Sequence, residues 1–397
     1  MKRICRTTGF LVTLVAFLGL LILPGSAFAE AWQLRPTIML EERFHDNVNL
    51  DSETSRSAAE SSLKGILGFR RLSETSNLEG RLHLNLSTEK PSRQYLTFTS
   101  FKKFELSQIG LDGLFRRDTT ARTFNTIADE DELGTPVDPD EGLVSIELDR
   151  NTLKLEPNWH HEINERTMMD VGYEFNLVKY ENNQPGSGLS DYNQHGITPS
   201  ISRNLSERDI LTTTVGYVQY NSDDLVNTVG KSYFLTIGYK RAFTETLRGG
   251  ATTGIRHTKL TSDVSDSSSS GFVLQMNLDA KFEASKLSLK ANRSLLPSGA
   301  GGLLEVSELS VKFNHKFRER LFGAFLLLGS EKNLVGESGG NKRYSLQASP
   351  RIGWKITQWW TVGAGYRYQQ RELVDSTNDA VNNIVFIQLR YSKGIAI

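Results

Sequence analysis

Few residues of this sequence have the types and spacing that catalysis or metal binding requires. The seven histidines are scattered along the chain. His160 and His161 are adjacent, and adjacent side chains of a strand point to opposite faces, so the pair cannot hold one metal ion. Gly186-Ser187-Gly188 lacks the strand, sharp turn and helix that present the serine nucleophile of a hydrolase. The sequence therefore predicts a protein that is not an enzyme and has no metal site and no cofactor.

One acidic segment, Thr119 to Gly142, is the remaining candidate for cation binding. Its only basic residue is Arg122, and its acidic residues are Asp129, Glu130, Asp131, Glu132, Asp138, Asp140 and Glu141. Carboxylates at this density can bind Ca²⁺, and a long loop can also fold into a barrel as a constriction. Acidic runs are more often solvated surface loops, and the sequence favours that interpretation.

The elements that position the polar residues are strands with one apolar and one polar face. Between Met169 and Leu177 the apolar residues alternate with Asp170, Gly172, Glu174 and Asn176. Residues 272–282 and 309–317 repeat this pattern. A soluble β-sandwich also alternates. Here, however, the strands are commonly ten or more residues long, whereas strands of globular proteins average about five or six.

The periodicity predicts an all-β, antiparallel up-and-down transmembrane β-barrel of about 16–18 strands. Eighteen strands can be placed, and sixteen is the alternative because the fourth, fifth and sixth are the least regular. They run over residues 35–44, 63–72, 77–87, 94–104, 107–118, 145–160, 166–180, 191–204, 207–221, 230–243, 246–260, 271–283, 285–294, 306–318, 320–332, 342–356, 359–372 and 383–391. A barrel of this size has an interior wide enough for an aqueous channel.

The connections alternate in length, as they do in outer-membrane barrels. Short turns built around Glu or Thr lie at 72–75, 163–166, 205–208, 243–246, 282–285 and 317–320. The connections between them are longer and rich in Gly, Ser, Asn and Asp, and Ser265–Ser270 and Ser298–Gly302 are predicted to be flexible loop tips. The short turns are predicted to face the periplasm and the long loops the outside.

Aromatic residues near the strand ends form pairs on one face: Tyr368 with Trp360, Tyr344 with Trp354, and Tyr233 with Phe243. They are predicted to form the aromatic girdles at the two membrane boundaries. The opposite face supplies the candidates for the pore lining. These are Asp170, Glu174, Asn176, Lys240, Asn277, Asp279, Lys281, Lys312, Asn314, Lys316, Arg351, Lys355 and Arg367.

The first 29 residues have the features of a cleaved secretory signal peptide. Lys2, Arg3 and Arg6 precede an apolar stretch, and Ala27-Phe28-Ala29 offers a cleavage site. Residues 1–29 are thus predicted to be the signal peptide and residues 30–397 the barrel. Cys5 is the only cysteine and lies in the signal peptide. The mature chain is therefore predicted to have neither a disulfide nor a thiol nucleophile.

The composition excludes one class of partner and agrees with a barrel. The chain has 46 basic and 46 acidic residues. Without the three basic residues of the signal peptide the balance is 43 to 46, with no basic face for nucleic acid. The 38% of hydrophobic residues is below the usual value for soluble domains, about 45–50%. A barrel explains the difference, because only its lipid face must be apolar.

The segment Leu40-Glu41-Glu42-Arg43-Phe44-His45-Asp46-Asn47-Val48-Asn49-Leu50 resembles the opening of an outer-membrane β-barrel porin family. That family is associated with exosortase (PEP-CTERM) and exopolysaccharide export loci. The resemblance implies a barrel in the outer membrane of a Gram-negative bacterium that exports a polysaccharide, with a periplasmic polysaccharide-export protein as partner. The last strand, Ile387 to Tyr391, resembles the signal read by the barrel assembly machinery, although Ser392 to Ile397 follow it.

Two classes of function remain open. The first is a conduit, either for an exopolysaccharide or capsular polysaccharide or, as a general diffusion porin, for small solutes. The second is a closed-barrel structural or assembly scaffold that anchors a periplasmic partner. The substrate, the oligomeric state and whether the long loop closes the lumen are not determined by the sequence.

Overall fold

The computed structural model describes residues 32–50, 55–89, 92–120, 148–181, 188–264, 266–299, 302–335, 342–373 and 379–396. These residues form eighteen long strands and one two-residue strand at the end. The strands are β1 Trp32–His45, β2 Ala58–Leu72, β3 Ser76–Ser87, β4 Arg93–Lys103, β5 Ser107–Thr119, β6 Asp149–Asn164, β7 Thr167–Glu181, β8 Tyr192–Asn204, β9 Asp209–Ser222, β10 Val229–Ala242, β11 Leu247–Thr261, β12 Asp266–Lys281, β13 Ser285–Ser298, β14 Gly302–Lys316, β15 Leu321–Leu334, β16 Arg343–Lys355, β17 Trp360–Leu373, β18 Ala380–Ser392 and β19 Ile395–Ala396.

The strands form one closed antiparallel barrel. Each long strand pairs with its neighbours in the sequence, and β1 pairs with β18 to close the ring. That closing ladder runs from Thr37↔Ser392 to His45↔Ile384. The short β19 adds two further pairs to β1. The prediction of an up-and-down barrel is confirmed, at the upper end of the predicted strand number.

The connections are short at one end of the barrel and longer at the other, as predicted. The exceptions are the short connections from β11 to β12 and from β13 to β14. At one end of the barrel, two to four residues join β2 to β3, β4 to β5 and so on to β16 and β17. At the other end the connections are mostly longer. The prediction of a flexible tip was wrong for Ser267–Ser270, because these residues belong to β12 and pair with β11. Ser298 and Gly302, at the two ends of the other predicted tip, pair with each other across the β13–β14 hairpin.

The outer face of the barrel carries the apolar side chains of the alternating pattern. On β10, Tyr233, Leu235 and Ile237 are exposed, whereas Ser232 and Thr236, on the opposite face, are buried. The predicted girdle residues Trp354, Trp360 and Phe243 are also on the outer face and exposed. A closed barrel pairs its backbone groups between strands, as a lipid environment requires. Together with the apolar outer face, this closure makes the chain an outer-membrane β-barrel of the Gram-negative type.

Several glycines lie directly opposite a phenylalanine of the next strand, whose ring covers them. The pairs are Phe69↔Gly80, Phe98↔Gly113, Phe234↔Gly216, Phe322↔Gly353 and Phe386↔Gly365. In each pair the ring occupies the space of a Cβ at the glycine. This arrangement compensates for the missing side chain of a glycine in a strand.

Three segments interpreted in the sequence analysis lie wholly or partly outside the described residues. They are the signal peptide, residues 1–29, the acidic segment after Thr120, and Gly186-Ser187. Within the described residues, no helix is long and apolar enough to span a membrane.

Candidate functional site

The candidate site is the inner face of the barrel, which lines the lumen. On β7, Glu174, Asn176 and Val178 face a cavity that is also lined by residues of strands from β5 to β14. The alternate residues of β7, such as Tyr173, face outward and are exposed. His160 and His161 are on opposite faces, as predicted, since His160 contacts Asp170 and His161 contacts Ser107.

The end of the β13–β14 hairpin that lies away from the short turns extends into the lumen. We call residues Ser294–Ser298 and Gly302–Ser307 the inner arm. At its tip, Tyr220 Oη donates a hydrogen bond to the carbonyl oxygen of Ser298 at 2.7 Å. The backbone N–H of Ser190 donates to the carbonyl oxygen of Gly299 at 2.6 Å. Since β8 and β9 are separated from β13 by several strands of the ring, the inner arm partly closes the barrel.

Apolar side chains hold the inner arm against the inner face of the barrel wall. Leu303 of β14 packs against Leu260. Both leucine side chains lie against Gly230 of β10, at 3.0 and 3.1 Å from the position that a Cβ would have there. Leu303 belongs to a buried apolar cluster that draws on the walls of the barrel from β6 to β9. Its members are Leu148, Val178, Tyr180, Leu189, Tyr192, Tyr220 and Leu303. A core of this kind is unusual in a lumen that would otherwise be filled with water, and it fixes the position of the arm.

A cavity of about 410 Å³ lies between the inner arm and the wall. The inner arm contributes Leu295, Leu296 and Pro297 to its lining, together with Leu303. The wall contributes four cationic side chains and one acidic one, Glu174. The four cations are Arg116, Arg150, Lys154 and Arg256. Cavities of about 300–1,000 Å³ are typical of sites for small molecules.

The cations of the cavity wall are neutralised by acidic neighbours. Arg150 makes a bidentate pair with Asp118, with distances of 3.0 Å from Nε to Oδ1 and 2.8 Å from Nη2 to Oδ2. Both side chains are buried, where such a pair is held rigidly by its geometry. Lys154 Nζ lies 3.0 Å from a carboxylate oxygen of Glu156 and 3.5 Å from one of Glu174.

A third group of charges links the wall to the inner arm. Glu305 of β14 accepts from Arg256 Nη2 at 3.1 Å and from Arg293 Nη2 at 2.6 Å. Arg256 belongs to the wall strand β11, so this carboxylate ties the inner arm to the wall. The guanidinium of Arg293 also lies over the ring of Phe272, at 4.4 Å from its centroid.

The opposite part of the lumen contains a buried polar network near the closure of the ring. Glu60 of β2 is almost fully buried and accepts from Ser87 Oγ at 2.7 Å. Nε2 of His45 lies 3.0 Å from Glu60 Oε2, and Arg43 Nη1 lies 3.5 Å from the same oxygen. Arg43 also forms an ion pair with Glu41. The inward side chains of β1 therefore sit in a continuous set of charge-assisted contacts.

The network extends across β1 to β18 and β17. Asn382 Nδ2 lies 3.3 Å from His45 Nδ1 and 3.3 Å from Gln369 Oε1. Gln369 donates in turn to Gln347 of β16 at 3.3 Å. These side chains are buried, and a buried network in which most members are paired rigidifies the wall that carries it.

The residues predicted to line the pore occupy different depths of the barrel. Glu174 lines the cavity, and Asp170 forms a 2.7 Å contact with His160 Nδ1. Arg367 is buried and stacks over Phe386 at 5.5 Å. Asp279 accepts from Ser288 Oγ at 2.7 Å. Their part in conduction stays a prediction.

The remaining predicted residues lie on the same alternating faces. Lys281, Lys316 and Lys355 are the last residues of β12, β14 and β16, at the end of the barrel with the short turns. The other residues of this group are Asn176, Lys240, Asn277, Lys312, Asn314 and Arg351. Asn176 lines the cavity, whereas Lys240 is exposed near the short-turn end of β10.

Sequence reasoning missed several charged residues on the inner face of the barrel. Arg256 alternates with the outward Ile255 and His257, which is the signal that would have placed it inside. On β1, Glu41 points inward, but the next residue, Glu42, is charged as well and lies on the outer face. Glu42 accepts a hydrogen bond from Ser61 Oγ at 2.7 Å. Two consecutive charged residues interrupt the alternation, so the pattern did not show which one faces the lumen. Among the described residues, no group of three or more His, Cys, Asp or Glu is placed to hold a metal ion.

Comparison with known proteins gives similarity in structure only. A scan against protein-family models gave no match. A search of curated proteins gave no match either.

Several solved barrels of Pseudomonas aeruginosa resemble the chain at low identity. OccK2 (OpdF), crystallised in complex with glucuronate, has a TM-score of 0.48 and 9% identity, over 91% of this chain and 98% of its own. The outer membrane protein OpdK has a TM-score of 0.48 and 10% identity, over 92% and 99%. OpdQ has a TM-score of 0.45 and 11% identity, over 94% and 100%. At these values the function of this chain has to be argued from its own lumen.

Proposed function

We propose that this chain is a porin-like channel that carries small hydrophilic solutes across the outer membrane without chemical conversion. The observation that carries the proposal is the constriction. The inner arm partly closes a barrel of eighteen strands, and a cavity of about 410 Å³ with charged side chains lies between the arm and the wall. A site of this volume accommodates a single small solute, and its paired charges offer donors and acceptors to a polar one.

The test is conductance of the purified protein in planar bilayers, together with swelling of vesicles in solutes of graded size. We expect discrete single-channel steps and entry of small sugars and amino acids, with a size limit near that of a disaccharide. If the protein forms no channel, the conduit fails, and the closed-barrel scaffold that anchors a periplasmic partner takes its place.

The charge of the lumen provides a second readout. Lys281→Glu reverses a charge on the inner face at the short-turn end, and charges near a pore bias the local ion concentration. We expect the variant to shift the ion selectivity of the channel toward cations. Lys231→Glu makes the same reversal on the outer face of β10, and it should leave the selectivity unchanged. Equal shifts in both variants would contradict a lumenal position of Lys281.

Polysaccharide export is the second candidate, and one observation favours it. The segment from Leu40 to Leu50 resembles exosortase-associated barrels, and its inward residues Glu41, Arg43 and His45 belong to the buried lumenal network. The comparisons with known proteins do not support this association. Deletion of the gene distinguishes the two candidates: loss of surface polysaccharide favours export, and unchanged surface polysaccharide with reduced solute uptake favours the small-solute porin.

A further inference from the structure

The wall of the barrel is incomplete between β12 and β13. Their ladder begins at Lys281↔Lys286 and ends at Leu274↔Arg293. The ladders on both sides continue further, to Thr261↔Asp266 for β11 with β12 and to Ser298↔Gly302 for β13 with β14. In the part of the chain that the structure describes, no pair joins Asp266–Val273 to Ser294–Ser298. We call this unpaired stretch the open seam.

The open seam exists because the inner arm leaves the wall for the lumen. A closed barrel normally removes all strand edges. Here one edge of β12 and one edge of β13 remain without a strand partner over the seam. Both edges belong to the same sheet and diverge from a common last pair, Leu274↔Arg293.

The lumenal position of the inner arm leaves buried donors without acceptors. Nε and Nη1 of Arg256 are buried and have no hydrogen-bond partner among the described residues. The same is true of Nε of Arg293. Buried donors that lack an acceptor disfavour the state in which they occur. The contacts of Leu303, Tyr220 and Glu305 therefore hold the inner arm against a local penalty.

We propose that the inner arm has a second position, in which β13 continues its ladder with β12, closes the open seam and withdraws from the lumen. This inference rests on the proposed function, since the second position is the state of higher conductance of the channel. Continuing the register by one pair at a time places Val273 opposite Ser294, Phe272 opposite Leu295 and Gly271 opposite Leu296.

The alternation of side chains fits this second position. Phe272 is on the outer face, and the register places Leu295 beside it, also on the outer face. Gly271 and Leu296 share the inner face, where the glycine leaves room for the larger side chain. Leu295 and Leu303 are thus removed from water in either position: against the lumenal wall, or on the outer face at the membrane boundary. A packed element with two such arrangements switches between them rather than deforming gradually.

The ion pairs also fit a switch. Closing the seam separates Glu305 from Arg256 but leaves it beside Arg293, because β13 and β14 move together as a paired hairpin. Arg256 then faces a hydrated lumen, where water satisfies its donors.

Two disulfide variants test the proposal. Phe272→Cys with Leu295→Cys places two thiols opposite each other only if the seam closes. Directly opposed Cβ atoms lie about 4.5–5.5 Å apart. Gly230→Cys with Leu303→Cys joins positions that meet in the lumenal arrangement. Cys5 is the only natural cysteine, so the replacement of Cys5 by Ser removes any competing thiol.

We expect both pairs to form disulfides in the folded protein under mild oxidation. The oxidised Phe272/Leu295 variant should have a higher single-channel conductance than its reduced form. The oxidised Gly230/Leu303 variant should have a lower one, and a reducing agent should reverse both effects. The proposal is overturned if the Gly230/Leu303 pair forms a disulfide while the Phe272/Leu295 pair does not. It is also overturned if oxidation leaves both conductances unchanged in a conducting channel.

A substitution without cysteine gives an independent measurement. Glu305→Gln weakens the ion pair between the inner arm and Arg256. We expect it to raise several-fold the ratio of time spent at high conductance to time spent at low conductance. Glu331→Gln is the control. Glu331 lies on β15 and forms a solvent-exposed ion pair with Lys342, and its replacement should leave that ratio unchanged. If no variant and no natural protein conducts, the proposed function fails. The two disulfides then still decide whether the arm has two positions.

Discussion

At the scale of single residues, neighbours in the sequence experience different solvents. Met276 and Asn277 are consecutive residues of β12, and Met276 is 47% exposed on the outer face. Asn277 points to the inner face together with Asp279. A change that is harmless at one of these positions is therefore unfavourable at the other, because only the outer face meets lipid.

Met276→Arg is expected to destabilise the barrel by about 2–4 kcal/mol, the penalty for an arginine near the middle of the lipid face of such barrels. Asn277→Arg is expected to change the free energy of unfolding by less than about 1 kcal/mol, since the lumen solvates the charge. Unfolding by denaturant in lipid vesicles measures both. Equal losses at the two positions would contradict a membrane-spanning β12.

The faces of individual residues could be predicted from the sequence, but their burial could not. Alternation alone placed Asp170 and Glu174 on the inner face. The burial of Arg367 and Glu60 was not predicted, because it depends on side chains of strands far away in the sequence. His45, for example, contacts Asn382, 337 residues later. Periodicity within a strand contains no information about such partners.

At the scale of strands, the glycine–phenylalanine pairs show how the sheet tolerates residues without a side chain. Gly216 lies opposite Phe234, and the phenyl ring occupies the space of the missing Cβ. Phe234 also lines the lumenal cavity. The pairing of β9 with β10 therefore determines where the ring of Phe234 lies in the wall of the cavity.

Gly216→Ala is expected to displace the ring of Phe234 and to destabilise the barrel by about 1–3 kcal/mol, as overpacking does. Gly329→Ala is the matched control, because nothing lies within 4 Å of a Cβ at that position of β15. It should be neutral or stabilising by up to about 1 kcal/mol, since alanine restricts the unfolded chain more than glycine. The free energies of unfolding in detergent compare the two. A smaller loss for Gly216 than for Gly329 would contradict the ring contact.

The strands were predictable as elements, but the path of one hairpin was not. Every predicted strand overlaps its counterpart in the barrel, because one-sided exposure to lipid imposes a period of two on the sequence. The serines at 267–270 suggested a loop by composition, yet their backbone pairs with β11 up to Thr261↔Asp266. The inner arm was not predicted, since its path depends on contacts of Leu303 with strands elsewhere in the ring.

At the scale of the whole molecule, the two ends of the barrel differ in the length of their connections. The short turns lie at one end, and in outer-membrane barrels that end faces the periplasm. Leu225, between β9 and β10, is 94% exposed at the opposite end. Glu207, between β8 and β9, is exposed at the short-turn end.

Leu225→Cys is expected to react with a membrane-impermeant thiol reagent on intact cells, whereas Glu207→Cys should react only after the outer membrane is permeabilised. Each variant also carries Cys5→Ser. Labelling of the purified protein in detergent is the control, and there both thiols should react equally. The reverse order of labelling on cells would show that the short turns face outward.

The pairing of the first strand with the last determines how the chain must fold. Each other ladder between long strands joins strands that follow one another. The hydroxyl oxygens of Thr37 and Ser392, by contrast, are 355 residues apart in the sequence and lie at 2.8 Å. Contacts at such separation form slowly, because the entropy of bringing the ends together is lost before the contact forms. Until then, the outer edges of β1 and β18 are templates for pairing with other chains. The period before closure is therefore when this protein is most prone to aggregation, and a chaperone that covers these two edges would have the greatest effect on its yield.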